Sequence, residues 1–285
     1  TEDAELIRMD DHWNEKQRIS LKGEPTCIFE DSEGMLWVGI TNQGMIRMKT
    51  ENGRMTTIRQ LDGMPVREVK EGANQKMYIA VDREGIWTYD LRNHVCTPLD
   101  NTDTSNFKLL RNRYINKLIK DSKDRLWIGH YLGVSCYDTR SERFLDIAKD
   151  SVLNTSVCYA LIEAKDGNIW IGTNTGLYRY SDNDGTYERF TTSEGLSSNM
   201  ICGLAEDKDG NIWCSTFRGI NCMYKENGKT ATWYAGRGSA RKEYTRPCYH
   251  SDGVTICFGE QDGITAFNPP INIEKENLIV NNDQF

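Results

Sequence analysis

The sequence predicts an all-β protein, a β-propeller of four-stranded blades, and three observations carry that expectation. A short apolar motif centred on Trp recurs at nearly constant spacing. Each clear copy follows an acidic turn, which contains a Gly in three of the four. No segment shows the 3.6-residue periodicity of an amphipathic helix. The clear copies are Met35-Leu36-Trp37-Val38-Gly39, Arg125-Leu126-Trp127-Ile128-Gly129, Asn168-Ile169-Trp170-Ile171-Gly172 and Asn211-Ile212-Trp213-Cys214-Ser215. Weaker copies are Lys76-Met77-Tyr78-Ile79-Ala80 and Thr255-Ile256-Cys257-Phe258-Gly259. Positions 37, 78, 127, 170, 213 and 257 are 41, 49, 43, 43 and 44 residues apart, one four-stranded blade each.

Taken in chain order, Glu5-Leu6-Ile7-Arg8-Met9 matches Gly44-Met45-Ile46-Arg47-Met48, and Arg18-Ile19-Ser20-Leu21 matches the strand that follows it. Residues 1–25 therefore supply strands c and d of a partial blade, and six repeats run from about 26 to 270. Within a repeat, an alternating strand a such as Ala160-Leu161-Ile162 leads into a hairpin turn, Lys165-Asp166-Gly167-Asn168. Strand b carries the Trp. A Gly six or seven residues later (Gly44, Gly85, Gly133, Gly176, Gly219, Gly263) marks the b to c turn. Strand c alternates, as in Leu177-Tyr178-Arg179-Tyr180, and strand d carries an aromatic, as in Tyr187-Glu188-Arg189-Phe190 and Thr230-Ala231-Thr232-Trp233. Six repeats and a half blade predict seven blades, one of them split or incomplete, with residues 271–285 a last strand or a linker. The repeated Trp residues are expected in the core between blades rather than on a ligand.

Composition narrows the function classes. The 285 residues are 38% apolar and 27% charged, the range of a folded globular chain, and a net charge of −7 argues against a duplex nucleic-acid binder. No apolar run approaches the length of a membrane span. Nine Cys without a C-x-x-C pair or zinc-type spacing indicate neither a disulfide framework nor a metal site. Cys136 and Cys222, each three residues after a blade Gly, read as small packing residues. His12, His94, His130 and His250 are scattered, with no H-E-x-x-H and no nucleophile elbow, so no catalytic residue, metal or cofactor is expected.

The unit D-x-x-G-x-L/I-W-I/V-G-T, followed by N-x-G-L and Y-R-Y, resembles the regulator-propeller repeat in periplasmic sensor regions of hybrid two-component histidine kinases of Bacteroides type. Its clearest copy is Lys165-Asp166-Gly167-Asn168-Ile169-Trp170-Ile171-Gly172-Thr173-Asn174-Thr175-Gly176-Leu177-Tyr178-Arg179-Tyr180. Gly195-Leu196-Ser197-Ser198-Asn199 is like that family's G-L-x-S-N link, and Phe258 to Pro269 is like its final blade. Tyr78 and Cys257 in place of Trp, and Ser215 in place of Gly, depart from the pattern. The resemblance implies a non-catalytic, periplasmic module of an inner-membrane-anchored protein, sensing an oligosaccharide and signalling to the kinase. Neighbouring propeller and immunoglobulin-like domains of the parent chain are its implied partners, and homodimerisation stays open. The alternatives are a protein-interaction scaffold and, further off, a propeller lyase or glycosidase. For such an enzyme His250 is the best residue, and it sits at a strand end beside Ser251-Asp252-Gly253.

Propeller function resides on loops, and in a four-stranded meander the b to c and d to a connections share one edge. The ligand-binding residues expected there are Arg83, Arg113, His130, Tyr131, Asn174, Phe217, Arg218, Arg241 and Tyr244, with Asp82, Arg111 and Arg237 beside them. Aromatic rings can cover a sugar face while Arg, Asn and His bond its hydroxyls or carboxylates. The long link from Lys225 to Arg246 holds six basic residues against two acidic ones, which favours an anionic glycan.

Overall fold

A computed structural model describes residues 4–10, 14–49, 55–99, 110, 112–147, 152–233, 244–260 and 264–269. Secondary structure there is antiparallel β-sheet with three one-turn 3₁₀ segments. A two-stranded sheet opens the chain, β1 (Ala4–Met9) with β2 (Glu15–Leu21). Five four-stranded meanders follow, each in the spatial order of its sequence. The first is β3 (Pro25–Glu30), β4 (Met35–Ile40), β5 (Gly44–Lys49) and β6 (Met55–Thr57). The second is β7 (Val66–Glu71), β8 (Lys76–Val81), β9 (Gly85–Asp90) and β10 (Cys96–Pro98). The third is β11 (Ile115–Lys120), β12 (Arg125–His130), β13 (Gly133–Asp138) and β14 (Arg143–Leu145). The fourth is β15 (Cys158–Glu163), β16 (Ile169–Thr173), β17 (Leu177–Ser181) and β18 (Thr186–Phe190). The fifth is β19 (Ile201–Glu206), β20 (Ile212–Thr216), β21 (Gly219–Met223) and β22 (Thr230–Trp233). A three-stranded sheet, β23 (Tyr244–Ser251), β24 (Ile256–Glu260) and β25 (Ile264–Phe267), closes the described chain.

These seven sheets are the blades of a β-propeller, and each strand expected from the repeat grammar through residue 233 is present. The sixth repeat shows three strands among the described residues. Gly263 and residues 270–285, expected to hold a turn and a last strand or linker, lie outside them. The chain divides into two compact units, Thr1–Leu126 with Tyr137–Leu145, and Trp127–Cys136 with Asp146–Phe285.

In the first unit, Trp37, Met45, Leu61, Val66, Met77 and Ile79 form one buried cluster with Tyr89 and Cys96. Trp37 meets Tyr89 edge-on at 5.1 Å. The opening two-stranded sheet is anchored to the first meander, where Leu21, Val38 and Ile40 are buried with Ala4, Leu6 and Ile46 packed on them. In the second unit, Trp170, Leu177, Leu204, Ile212 and Cys214 share one cluster, and Trp213, Cys222, Ile256 and Phe258 another. Trp37, Trp127, Trp170 and Trp213 are each at most 6% exposed, in the core as expected.

The a to b turn is built around a buried carboxylate. Asp31 accepts the amides of Glu33 and Met35 on one oxygen and the Trp37 indole N–H, at 2.8 Å, on the other. Asp207 repeats this with the amides of Asp209 and Asn211 and with Trp213 at 2.9 Å. One side chain thus shapes the hairpin, satisfies donors at its tip and pins the core Trp. The motif Gly is equally explained. A Cβ on Gly39 would lie 2.8 Å from Cys27 Sγ, and one on Gly172 would lie 2.7 Å from Ile201 Cγ2. Ser215 is accommodated in the same position because its partner on strand a is Gly203, whose Cβ would lie 3.0 Å from Ser215 Oγ.

Candidate functional site

At the b to c edge, turn and link are tied by side chains. In the fourth blade, Asn174 Oδ1 accepts the Val157 amide while the Asn174 amide donates to the Val157 carbonyl. Ser156 and Thr175 hydroxyls meet at 2.6 Å. In the fifth blade, buried Asn221 accepts the Ser197 amide and Ser197 bonds Thr216. A capping box between Thr191 and Glu194, with Gly195 at φ 99°, sets the start of that link, and Leu196 is buried beneath it. The link motif Gly195-Leu196-Ser197-Ser198-Asn199 therefore folds as a clamp on the b to c turn. Turn glycines allow this approach: Gly44 has φ 84°, and a Cβ there would lie 2.1 Å from the Leu61 carbonyl oxygen.

The residues expected to bind ligand take different positions on this edge. In the first unit, Arg83 is exposed at φ 65° in the β8–β9 turn, with its Nε 4.0 Å from Asp82 Oδ2. Arg113 is exposed, and its stem lies over Gly85. In the second unit, Tyr131 is 49% and Leu132 41% exposed on the β12–β13 turn. Arg218 is exposed on the β20–β21 turn and Phe217 half-buried beside it. His130 is fully buried instead. Its Nε2 lies 3.0 Å from Ser135 Oγ and its Nδ1 accepts the Leu132 amide, so it supports the turn from beneath. Asn174 is half-buried and committed to its clamp. The sequence did not separate His130 from Tyr131, which are adjacent where β12 ends and its turn begins; the structure buries the first and exposes the second. Arg111, Arg237 and Arg241 lie outside the described residues, and Tyr244 is described only as part of β23. His250 is exposed in β23, opposite Cys257.

No group of three or more His, Cys, Asp or Glu arranged for a metal ion occurs among the described residues. Eight described cysteines are free thiols; Cys136 and Cys222 are buried, and burial pushes Cys96 and Cys214 up to about 12. No described helix is long and apolar enough to cross a membrane.

A concave feature lies at the other edge, where the a to b and c to d turns gather. Between the fourth and fifth blades is a cavity of about 310 Å³, with Ala164, Trp170, Phe190, Ile212 and Met223 as its apolar wall. Asp166, Arg179, Glu188 and Lys225 supply charge of both signs around it. The sequence signal for it is a column of the repeat: positions 31, 121 and 207 are Asp, and position 164 is Ala.

Residues 151–175 and 195–218 match the family of two-component regulator propellers. The chain carries regulator-propeller repeats. Among solved structures, it is similar to the extracellular domain named as that of a hybrid two-component system from B. thetaiotaomicron. Identity there is 27% with a TM-score of 0.74, over 90% of this chain and 35% of the other. A second B. thetaiotaomicron extracellular domain, 18% identical with a TM-score of 0.64, is covered over 37% of its length by 85% of this chain. The chain thus spans little more than a third of these relatives. Virginiamycin B lyase from Staphylococcus aureus, 13% identical with a TM-score of 0.67 over 91% of this chain and 86% of the lyase, shares the fold. No curated protein matches the chain.

Proposed function

We propose that this regulator propeller is the extracytoplasmic ligand-sensing module of a hybrid two-component system. It binds an oligosaccharide in the periplasm and passes occupancy to a histidine kinase. The observation that carries the reading is the 27% identity to a hybrid-system extracellular domain across 90% of the chain, together with regulator-propeller repeats. The b to c edge of the second unit suits such a ligand: Tyr131 offers an exposed ring, and Arg218 a guanidinium beside half-buried Phe217. Aromatic faces cover the C–H face of a pyranose, and guanidinium groups bond hydroxyls or carboxylates. The module itself is read as non-catalytic, in line with its likeness to extracellular domains of two-component systems, and the likeness to a lyase concerns the fold.

Signalling requires that the ligand bind one arrangement of the parent protein better than another. The regulator propeller is then the recognition part of that device, and the bistable part belongs to the longer protein. The test is a thermal-shift screen against plant, host and microbial oligosaccharides, uronate-containing and sulfated ones included. A ligand at a hundred times its dissociation constant stabilises by about 2.7 kcal/mol. A selective shift that Tyr131→Ala and Arg218→Ala remove supports the reading, and a panel without any response contradicts it.

A further inference from the structure

The turn between β12 and β13 departs from its sisters. The two residues before the turn Gly are Asn42-Gln43 in the first blade, Arg83-Glu84 in the second, Asn174-Thr175 in the fourth and Phe217-Arg218 in the fifth. In the third they are Tyr131-Leu132, a ring and an aliphatic side chain. Tyr131 is 49% and Leu132 41% exposed, and Val152, on the link to the fourth blade, is 39% exposed. Among the described residues of the second unit, Val254 alone joins them as an exposed large apolar side chain, and it stands in an a to b turn on the other edge.

The fold builds this patch. Gly133 has φ 98°, and a Cβ there would lie 2.5 Å from the Leu153 carbonyl oxygen, so the turn abuts the link. Leu153 is buried and anchors the link. The Val152 carbonyl accepts the Thr155 amide at 3.1 Å and the Thr155 and Ser156 hydroxyls at 3.0 and 2.7 Å. On the turn, the Leu132 amide donates to Nδ1 of buried His130. Both backbones are held, and they display Tyr131, Leu132 and Val152 on adjoining loops. Apolar surface kept in water at a fixed place is unfavourable, and a ligand that covers it recovers that free energy.

On the sensing reading, the Tyr131 ring takes the C–H face of a sugar, and the side chains on the loops around it decide which sugar. An ordinary hexose carries hydroxyls and a hydroxymethyl on its rim; against Leu132 or Val152 these groups lose water without gaining a partner. A hexose with methyl in place of hydroxymethyl turns an apolar group to the same side chains, and covering one methyl is worth about fourfold in affinity.

We infer that the β12–β13 turn and the Val152 link form a subsite for a deoxyhexose, a sugar bearing methyl in place of hydroxymethyl, within the oligosaccharide ligand. This rests on the sensing reading and names the sugar that Tyr131 receives.

The probes are two matched pairs in the L series, fucose with galactose and rhamnose with mannose, each pair differing by one oxygen. The readout is the methyl cross-peaks of Leu132 and Val152 in a ¹H–¹³C spectrum of the full chain, assigned by their loss in Leu132→Gln and Val152→Thr. Saturable movement is expected with a dissociation constant about fourfold or more lower for the deoxy member of at least one pair. Leu132→Gln, which copies the first blade, and Val152→Thr, which exchanges a methyl for a hydroxyl, should each bring that ratio toward one, read on the methyl peaks that remain. Equal affinity within both pairs, or a ratio unchanged in both variants, overturns the inference and leaves oligosaccharide sensing standing. Stationary peaks with all four sugars, in a chain that the thermal screen shows to bind an oligosaccharide, overturn it in the same way. A chain that binds no oligosaccharide fails at the sensing reading itself, and the inference falls with it.

Discussion

At the residue scale, the distribution of Asp and Ala at one turn position has measurable consequences. Asp207 is 1% exposed and holds two amides, the Asn211 side chain and an indole. Asp207→Ala leaves those donors without their acceptor, and we expect a loss of about 2–4 kcal/mol in chemical denaturation. Ala164→Asp should act in the opposite sense, adding about 1 kcal/mol, because it gives Trp170 the acceptor its sister residues have. Equal effects of the two substitutions would refute the shared role of the column. The thiols set a second expectation. Burial raises Cys96 and Cys214 to about 12 from an ordinary value of 9.0. Folding therefore holds them protonated where the unfolded chain would ionise them. Their contribution is fully present below pH 9 and lost as pH rises toward 12, at up to about 1.4 kcal/mol per pH unit for each thiol. Denaturation midpoints between pH 8 and 10.5 should fall in the wild type and fall less in Cys214→Ala.

At the element scale, the blades show how much a repeat declares and where it is silent. Trp37, Trp127, Trp170 and Trp213 announce strand b, and Gly44, Gly85, Gly133, Gly176 and Gly219 announce the turn after it, because few other residues fit a positive φ, at Gly44, Gly133 and Gly176 under a neighbouring carbonyl as well. Strand existence was therefore legible residue by residue. Pairing between columns was not: Ser215 looked like a flaw until the register placed it opposite Gly203. Small and larger residues exchange sides there, and the close approach of strands a and b is kept. Gly203→Val in this blade should cost about 1–3 kcal/mol by overpacking against Ser215, Tyr249 and Phe258, whereas Ser215→Gly should be tolerated. Thermal denaturation of the two variants checks this, and equal losses would contradict the exchange. The candidate site was less legible for a related reason. Tyr131, Phe217 and Arg218 could be assigned to turns, but the burial of His130 follows from Ser135 and Leu132, contacts that no spacing specifies. The cavity at the opposite edge needs two blades at once, so only its Ala164 signature stood in the sequence.

At the scale of the whole molecule, a chain that begins with a half blade relies on it for cover. Leu21, Val38 and Ile40 are buried where the opening sheet meets the first meander. Removing residues 1–21 should cost about 3 kcal/mol or more and increase binding of an apolar dye, since each such side chain loses about 1.5–3 kcal/mol on exposure. An unchanged melting temperature would mean that the opening sheet is an appendage. The proposed function at this scale is recognition without chemistry. The most direct measurement is calorimetric titration with the oligosaccharide that the thermal screen selects, followed by chromatography of the recovered ligand. The account expects saturable binding and an intact ligand. A cleaved ligand, or no saturable binding of any oligosaccharide, would contradict it.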